Sequence, residues 1–169
     1  MNNHSLGGNW LKNISYIDDW TSWLEGFEFY QPVTVRFSET DMFGHLNNTV
    51  PFIYFEQARI AFLHEKGFMA DWAEKGAKSI PVVADLQCDY LKQVFFNEKL
   101  RIYVKVGRVG SSSVDIHYLG RNEAGDICFT GRGTMVQILL ETGKGLAWTE
   151  EERERLLGSG HALSPRHRK

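Results

Sequence analysis

Apolar and polar residues alternate most regularly in the second half of the chain. Val82, Ala84, Leu86, Cys88 and Tyr90 alternate with Val83, Asp85, Gln87 and Asp89; Leu100, Ile102, Val104 and Val106 alternate with Arg101, Tyr103 and Lys105; Val114, Ile116 and Tyr118 alternate with Asp115 and His117. An apolar residue at every second position marks a strand with one buried face. Asn122–Asp126, which carries Gly125, suits a hairpin turn into a long strand over Ile127–Leu140. Gly131 and Gly133 interrupt that strand and predict a bulge or a close approach of another group to its backbone. Gly143–Gly145 is a further turn. Thr149, with Glu152 three residues on, forms a capping box that opens a helix over Thr149–Leu157.

The first half follows a different rhythm. Within Asn9–Phe29, Ile17, Trp20 and Leu24 recur at helical spacing, as do Trp20, Trp23 and Phe27. That predicts one amphipathic helix or two short ones, packed on the domain or on a subunit neighbour. Tyr30–Phe37 alternates Val33, Val35 and Phe37 with Thr34 and Arg36, a half-buried strand. Ser38–Asn48 is polar and reads as a loop. Pro51–Lys66 reads as a helix whose apolar residues cover much of its circumference, predicting burial on more than one side. Gly67 suits its end, and Met69–Lys75 can add a short helix. Met1–Gly8 and the basic Gly158–Lys169 read as loose ends. The order is strand, loop, long helix, then about four consecutive antiparallel strands, which argues for an α+β domain with a sheet laid across one buried helix.

Composition narrows the class. The 169 residues are 43% apolar and 13% aromatic, enough for one globular domain with a sizeable core. The net charge of -2 gives no global basic field for nucleic acid or an anionic membrane, although a few local Lys and Arg residues can still hold a phosphorylated ligand. Cys88 and Cys128 sit in apolar, strand-like runs and read as small buried thiols. No charged-then-apolar leader and no bilayer-length apolar run occurs, so the expectation is a soluble cytoplasmic protein. The six His are scattered and no paired Cys or His ligands occur, so no metal site is expected. Neither a Gly-rich phosphate loop nor a Gly-x-Ser-x-Gly elbow is present.

Chemistry concentrates in Glu39-Thr40-Asp41-Met42-Phe43-Gly44-His45-Leu46-Asn47-Asn48, between the first strand and the helix. The first amides of a helix lack internal partners and carry partial positive charge, so they can stabilise a developing oxyanion. A carboxylate a few residues earlier can serve as nucleophile or general base. A carbonyl held between them is set up for acyl transfer. The helix start stays open: Pro51 favours the first turn, while Thr49 or Asn48 can act as the cap.

The run Val35-Arg36-Phe37-Ser38-Glu39-Thr40-Asp41-Met42-Phe43-Gly44-His45-Leu46-Asn47-Asn48, followed by Tyr54-Phe55-Glu56-Gln57-Ala58-Arg59, resembles the signature of the 4-hydroxybenzoyl-CoA thioesterase family of hotdog enzymes. The resemblance extends over about Phe29–Leu140. It implies a hotdog fold, an antiparallel sheet wrapped around one long central helix, and hydrolysis of acyl-CoA or acyl-carrier-protein thioesters with CoA as part of the substrate. The family's catalytic carboxylate falls on Asp41. The backbone N–H that polarises the thioester carbonyl falls on Asn48, where many relatives carry Tyr or His. Gly44, His45 and Asn47 are candidate substrate contacts, each with an ordinary loop role as its alternative. The phosphate-contacting turn falls on Val109-Gly110-Ser111-Ser112-Ser113, so Ser111, Ser112 and Ser113 are candidate CoA contacts, with Arg108 or Lys105 supplying charge. Another hotdog group places its carboxylate on the central helix, which makes Glu56 the reserve base; its plain reading is an ion pair with Arg59 one turn on. The resemblance also implies a homodimer, and in many cases a homotetramer, with sites at the interface. The expected organisation is an extension over 1–28, the domain over 29–148 and a helix with tail over 149–169. A non-catalytic acyl-CoA-binding module and a hotdog enoyl-CoA hydratase or dehydratase are the competing classes.

Overall fold

The computed structural model describes residues 13–158. The expected loose ends, Met1–Gly8 and all but the first residue of Gly158–Lys169, lie outside those residues, as does the opening of the Trp-rich stretch. The elements run α1 (Trp20–Leu24), β1 (Phe29–Thr34), α2 (Val50–Glu65), α3 (Phe68–Ala73), β2 (Ser79–Tyr90), β3 (Lys99–Val109), β4 (Ser113–Asn122), β5 (Ile127–Leu139) and α4 (Glu150–Leu157). The five strands form one antiparallel sheet in the order β1-β3-β4-β5-β2. The sheet curves over α2, as expected of a hotdog domain.

The core lies between α2 and the concave face of the sheet. Tyr54, Phe55, Ala58, Phe62 and Leu63 of α2 meet Leu100, Ile102 and Val104 of β3, Val114, Ile116 and Tyr118 of β4, and Phe129 and Met135 of β5. Their i, i+4, i+8 spacing on the helix matches the every-second-residue spacing on the strands, so both surfaces are continuous. The Phe55 ring stacks on Tyr118 with centroids 4.4 Å apart. It also explains Gly131. A Cβ there would stand 2.4 Å from the Phe55 ring and 2.7 Å from the Gln87 carbonyl oxygen, so only glycine lets the ring lie against the sheet. Of the two expectations for Gly131, the close approach holds; the registers of β5 with both neighbours run unbroken there.

The bulge in this sheet pair sits in β2 instead. Val83 and Asp85 oppose the adjacent residues Met135 and Thr134, which leaves Ala84 as the extra residue. The alternation over Val82–Tyr90 therefore changes face at Ala84.

The second departure is α2 itself. Its outward side leaves Ile53 and Ile60 48% and 44% exposed, beside exposed Glu56 and Gln57. One sheet covers one side of a helix, so the expected burial on further sides is not met within a single chain. The third departure is the Trp-rich stretch. Among its described residues only Trp20–Leu24 is helical. The Asp19 side chain caps it, accepting from the Ser22 N–H at 2.8 Å, and Gly26 at φ +78° turns the chain away. The segment packs on the domain, as one alternative held: Ile14, Ile17 and Trp23 gather with Leu119 into a second apolar cluster on the outer face of the sheet. Among the described residues no helix is long and apolar enough to cross a membrane.

Candidate functional site

A 3-10 turn over Phe37–Glu39 leads β1 into the polar loop, and α2 begins at Val50 with Pro51 in its first turn. Val50 is helical despite preceding proline; its N–H is held by the Asn47 carbonyl at 3.0 Å. The Thr49 side chain makes no cap. Asn47 takes that part, its Oδ1 accepting from both the N–H and the hydroxyl of Thr49 at 3.0 Å.

Asp41 sits at the centre of a tight turn. Its Oδ1 accepts from the N–H of Phe43 at 2.8 Å and of His45 at 3.1 Å. Its N–H donates to the His45 carbonyl at 2.7 Å, and its carbonyl accepts from Gly44 at 3.0 Å. Gly44 has φ +78° and nothing within 4 Å of its would-be Cβ, so it is needed for backbone conformation rather than for space. With Oδ1 engaged, Oδ2 has no hydrogen-bond partner among the described residues. The Asn48 N–H likewise has none, while its carbonyl accepts from the Tyr90 hydroxyl.

Asp41, His45 and Asn48 line one open cleft of 320 Å³, together with Leu46, Tyr90, Leu91, Lys92, Gln93, Val94 and Phe129. The structure thus brings three of the sequence-derived candidates together. The His45 ring packs edge-on against Phe95 at 5.1 Å. Asn47 and Gly44 shape the loop and lie off the cleft lining. Ser111, Ser112 and Ser113 lie elsewhere. Their carbonyls accept from Trp148 N–H, Gln137 N–H and both Gly110 N–H and the Trp148 indole, tying the lead-in of α4 to the sheet. Ser113 also lines a separate cleft of 340 Å³ with Arg108, Asp115, Arg132 and Thr134.

Glu56 is exposed and forms no ion pair with Arg59. Arg59 is 8% exposed and turns inward to donate to the Tyr118 hydroxyl at 3.0 Å. The helical spacing was right for a pair, but Arg59 faces the sheet. Glu39, the first residue of the polar run between the first strand and the helix, is buried at 7% exposure. Burial alone would raise its carboxyl; hydrogen bonds from Arg36 and Tyr54 reverse that and hold it below the usual glutamate value.

The sequence reading missed the strand-end wall of the cleft, Tyr90–Val94. Nothing local to β2 marks Tyr90 as a neighbour of Asn48, forty-two residues earlier; the pairing is set by the sheet order. Cys128 is buried, as expected, whereas Cys88 is only part-buried; desolvation pushes their thiols up to about 11 and about 12. Among the described residues no three His, Cys, Asp or Glu side chains gather as metal ligands.

The sequence profile of the thioesterase-like superfamily matches residues 35–156. An uncharacterised protein of Bacillus subtilis (strain 168), YsmA, is 51% identical over 148 residues, 87% of this chain and 98% of its own. Solved structures are similar as well, two of them thioesterases. The DHNA-CoA thioesterase of Staphylococcus aureus has 28% identity and TM-score 0.64, covering 70% of this chain and 78% of its own. A thioesterase of Thermus thermophilus, complexed with coenzyme A and zinc, has 30% identity and TM-score 0.65, covering 79% and 95%. The profile is that of the broad superfamily, not of the narrower 4-hydroxybenzoyl-CoA group that the loop resembles.

Proposed function

The chain belongs to the thioesterase-like superfamily, and on that premise we propose that it hydrolyses the thioester of an acyl-CoA or acyl-carrier protein in the cleft between Asp41 and the mouth of α2. The observation that carries this reading is the pair of unengaged groups on one cleft: Asp41 Oδ2, free to take a proton or attack, and the Asn48 N–H, free to donate. As general base, Asp41 removes a proton from water while the new C–O bond forms. As nucleophile, it forms an acyl-enzyme anhydride that water then opens. In both routes the carbonyl oxygen gathers negative charge at the helix mouth, where the Asn48 amide and the helix dipole favour it. The C–S bond then breaks, and the sulfur leaves with the proton taken from water, as the thiol of CoA or of the carrier protein's attached pantetheine arm. His45, at the rim, is proposed as a contact for the substrate rather than the base.

Two further proposals follow from the surface. The long edge strand β2 and the exposed Ile53–Ile60 side of α2 favour a homodimer, which pairs an open sheet edge and covers an apolar helix face. The cleft of Arg108, Ser113 and Arg132 is a candidate for the phosphates of CoA, reached across that dimer. Residues 1–28 act as an extension, 29–148 as the catalytic domain and 149–169 as a helix and tail, in a cytoplasmic protein.

The test compares purified wild type with Asp41→Asn on a panel of acyl-CoAs by thiol release. The expected loss in kcat is roughly 10²–10⁴-fold. Equal rates would remove Asp41 from the mechanism, and acyl-CoA binding without thiol release by the wild type would replace the enzyme with a binding module.

A further inference from the structure

Glu39 joins both ends of the Asp41 loop to α2. Its Oε2 accepts from the Tyr54 hydroxyl at 2.7 Å and from the Arg36 N–H at 2.8 Å. Its Oε1 accepts from the Arg36 guanidinium, Nε at 3.0 Å and Nη2 at 2.8 Å. Its backbone carbonyl accepts from the Asn47 N–H at 2.8 Å. The side chain therefore fixes the start of the loop to the second turn of α2, and the backbone of the same residue fixes the end of the loop next to Asn48. Asp41 and the Asn48 amide, the two groups the proposed reaction needs, are spaced by the segment held between these anchors.

The chemistry of the brace is costly unless it has a role. A carboxylate at 7% exposure and a tyrosine at 2% are both removed from water. An apolar pair would pack as well without the desolvation cost. What a charged acceptor with four donors adds is direction: each donor restricts the carboxylate plane and, through it, the turn that carries Asp41. Burial and the adjacent Glu39 charge raise the Tyr54 hydroxyl above the usual tyrosine range, so it stays a donor throughout the working pH range.

We propose that Glu39 and Tyr54 are positioning residues that set the separation of the Asp41 carboxylate from the Asn48 amide. This rests on the roles given above to those two groups. The role is geometric, so its loss acts on the reacting step and spares binding of the acyl-CoA. Small misplacements of a reacting group are worth a large factor in rate.

The experiment uses the full chain and one acyl-CoA that the wild type hydrolyses. Tyr54→Phe removes one hydroxyl and keeps the ring. The expected result is a roughly tenfold to hundredfold fall in kcat with KM little changed. In an Asp41→Asn background the same substitution is expected to cost almost nothing further, because the group it positions is gone. Tyr16→Phe is the control for simple loss of stability. Tyr16 also donates from a part-buried hydroxyl to a carboxylate, Asp89 at 3.0 Å, but on the outer face of the sheet. It should lower Tm comparably and leave kcat alone. Glu39→Gln, which keeps the shape and one acceptor oxygen, should fall between wild type and Tyr54→Phe in kcat. A Tyr54→Phe protein with wild-type kcat, or with the same proportional loss in both Asp41 backgrounds, would overturn the brace. Wild-type rates in Asp41→Asn alone would instead overturn the proposed mechanism, so the two failures are told apart.

Discussion

The two faces of the sheet are closed in opposite ways. On the concave side α2 presses hydrocarbon against hydrocarbon, with Phe55, Tyr118, Phe129, Ile102 and Ile116 each at or below 1% exposure. On the outer side the segment before β1 lays a thin apolar cover of Ile14, Ile17 and Trp23 over a chain of polar groups. The Trp23 indole donates to His117 Nδ1 at 2.9 Å, and His117 Nε2 lies 3.1 Å from Asp115. Asp115 accepts from Arg132 Nε at 2.9 Å, and Arg132 reaches Asp85 at 3.1 Å. Lys105 adds a clamp from the sheet, donating to the carbonyls of Trp23 and Glu25. The concave side is held chiefly by buried apolar area, with the Arg59–Tyr118 hydrogen bond as a polar contact within it. The outer side is held by directed bonds whose strength depends on protonation and on every partner being present. The superfamily profile begins at residue 35, so the outer cover lies outside the part of the chain that the profile matches.

Cutting into the concave side is expected to have the largest effect on stability. Phe55→Ala removes the ring that stacks on Tyr118 and lies over Gly131, and the rigid strand backbone cannot collapse into the space. The expected cost is about 3–5 kcal/mol in chemical denaturation. A cost below about 1 kcal/mol would show that the helix–sheet seam repacks freely. On the outer side, Trp23→Phe keeps most of the apolar cover but removes the indole N–H, leaving His117 Nδ1 buried and unpaired. The expected cost is about 1–3 kcal/mol, with thioesterase activity unchanged. An activity loss larger than the stability loss explains would link the outer cover to the cleft and end the separation drawn between the two faces.

The concave side was the readable one. Every-second-residue alternation over β3 and β4, the capping box of Thr149 and Glu152, and the helical run from Pro51 all report burial against a partner on the same face, and local sequence encodes that directly. Strand β2 was readable only up to Ala84, because a bulge reverses the faces without changing composition. The Trp-rich opening suggested more helix than forms among its described residues, since its aromatic spacing satisfies packing on a sheet as well as it satisfies a helix. The loop residues Asp41, His45 and Asn48 were legible through their motif, and they do share a cleft. Glu39 was undervalued: its burial depends on Tyr54, fifteen residues later, and an acid beside a strand end looks like surface until the helix is in place. The Tyr90–Val94 wall was invisible for the same reason.

The smallest expected effect is on pH dependence, and it tests the outer side alone. Burial lowers the His117 pKa below the usual histidine value, and the positive charges of Lys105 and Arg132 add to that, while Asp115 opposes it. The Trp23 indole is itself a donor, so Nδ1 must stay unprotonated for the contact to persist. Below the ordinary histidine value of about 6.5 the unfolded chain therefore takes up a proton that the folded chain resists, and folding weakens as pH falls through that window. The loss levels off once the folded ring is protonated as well. Glu39 does not confuse the measurement: its carboxyl is held below the usual value, so its contribution is present above that value and is lost only in more acid solution. Between about pH 7.5 and about pH 5.5 the wild type should lose Tm, and His117→Gln, whose amide oxygen can still accept from the indole, should lose less. Equal losses in the two proteins would mean that the outer face is not protonation-sensitive in this range. The contrast between the two faces would then rest on area alone.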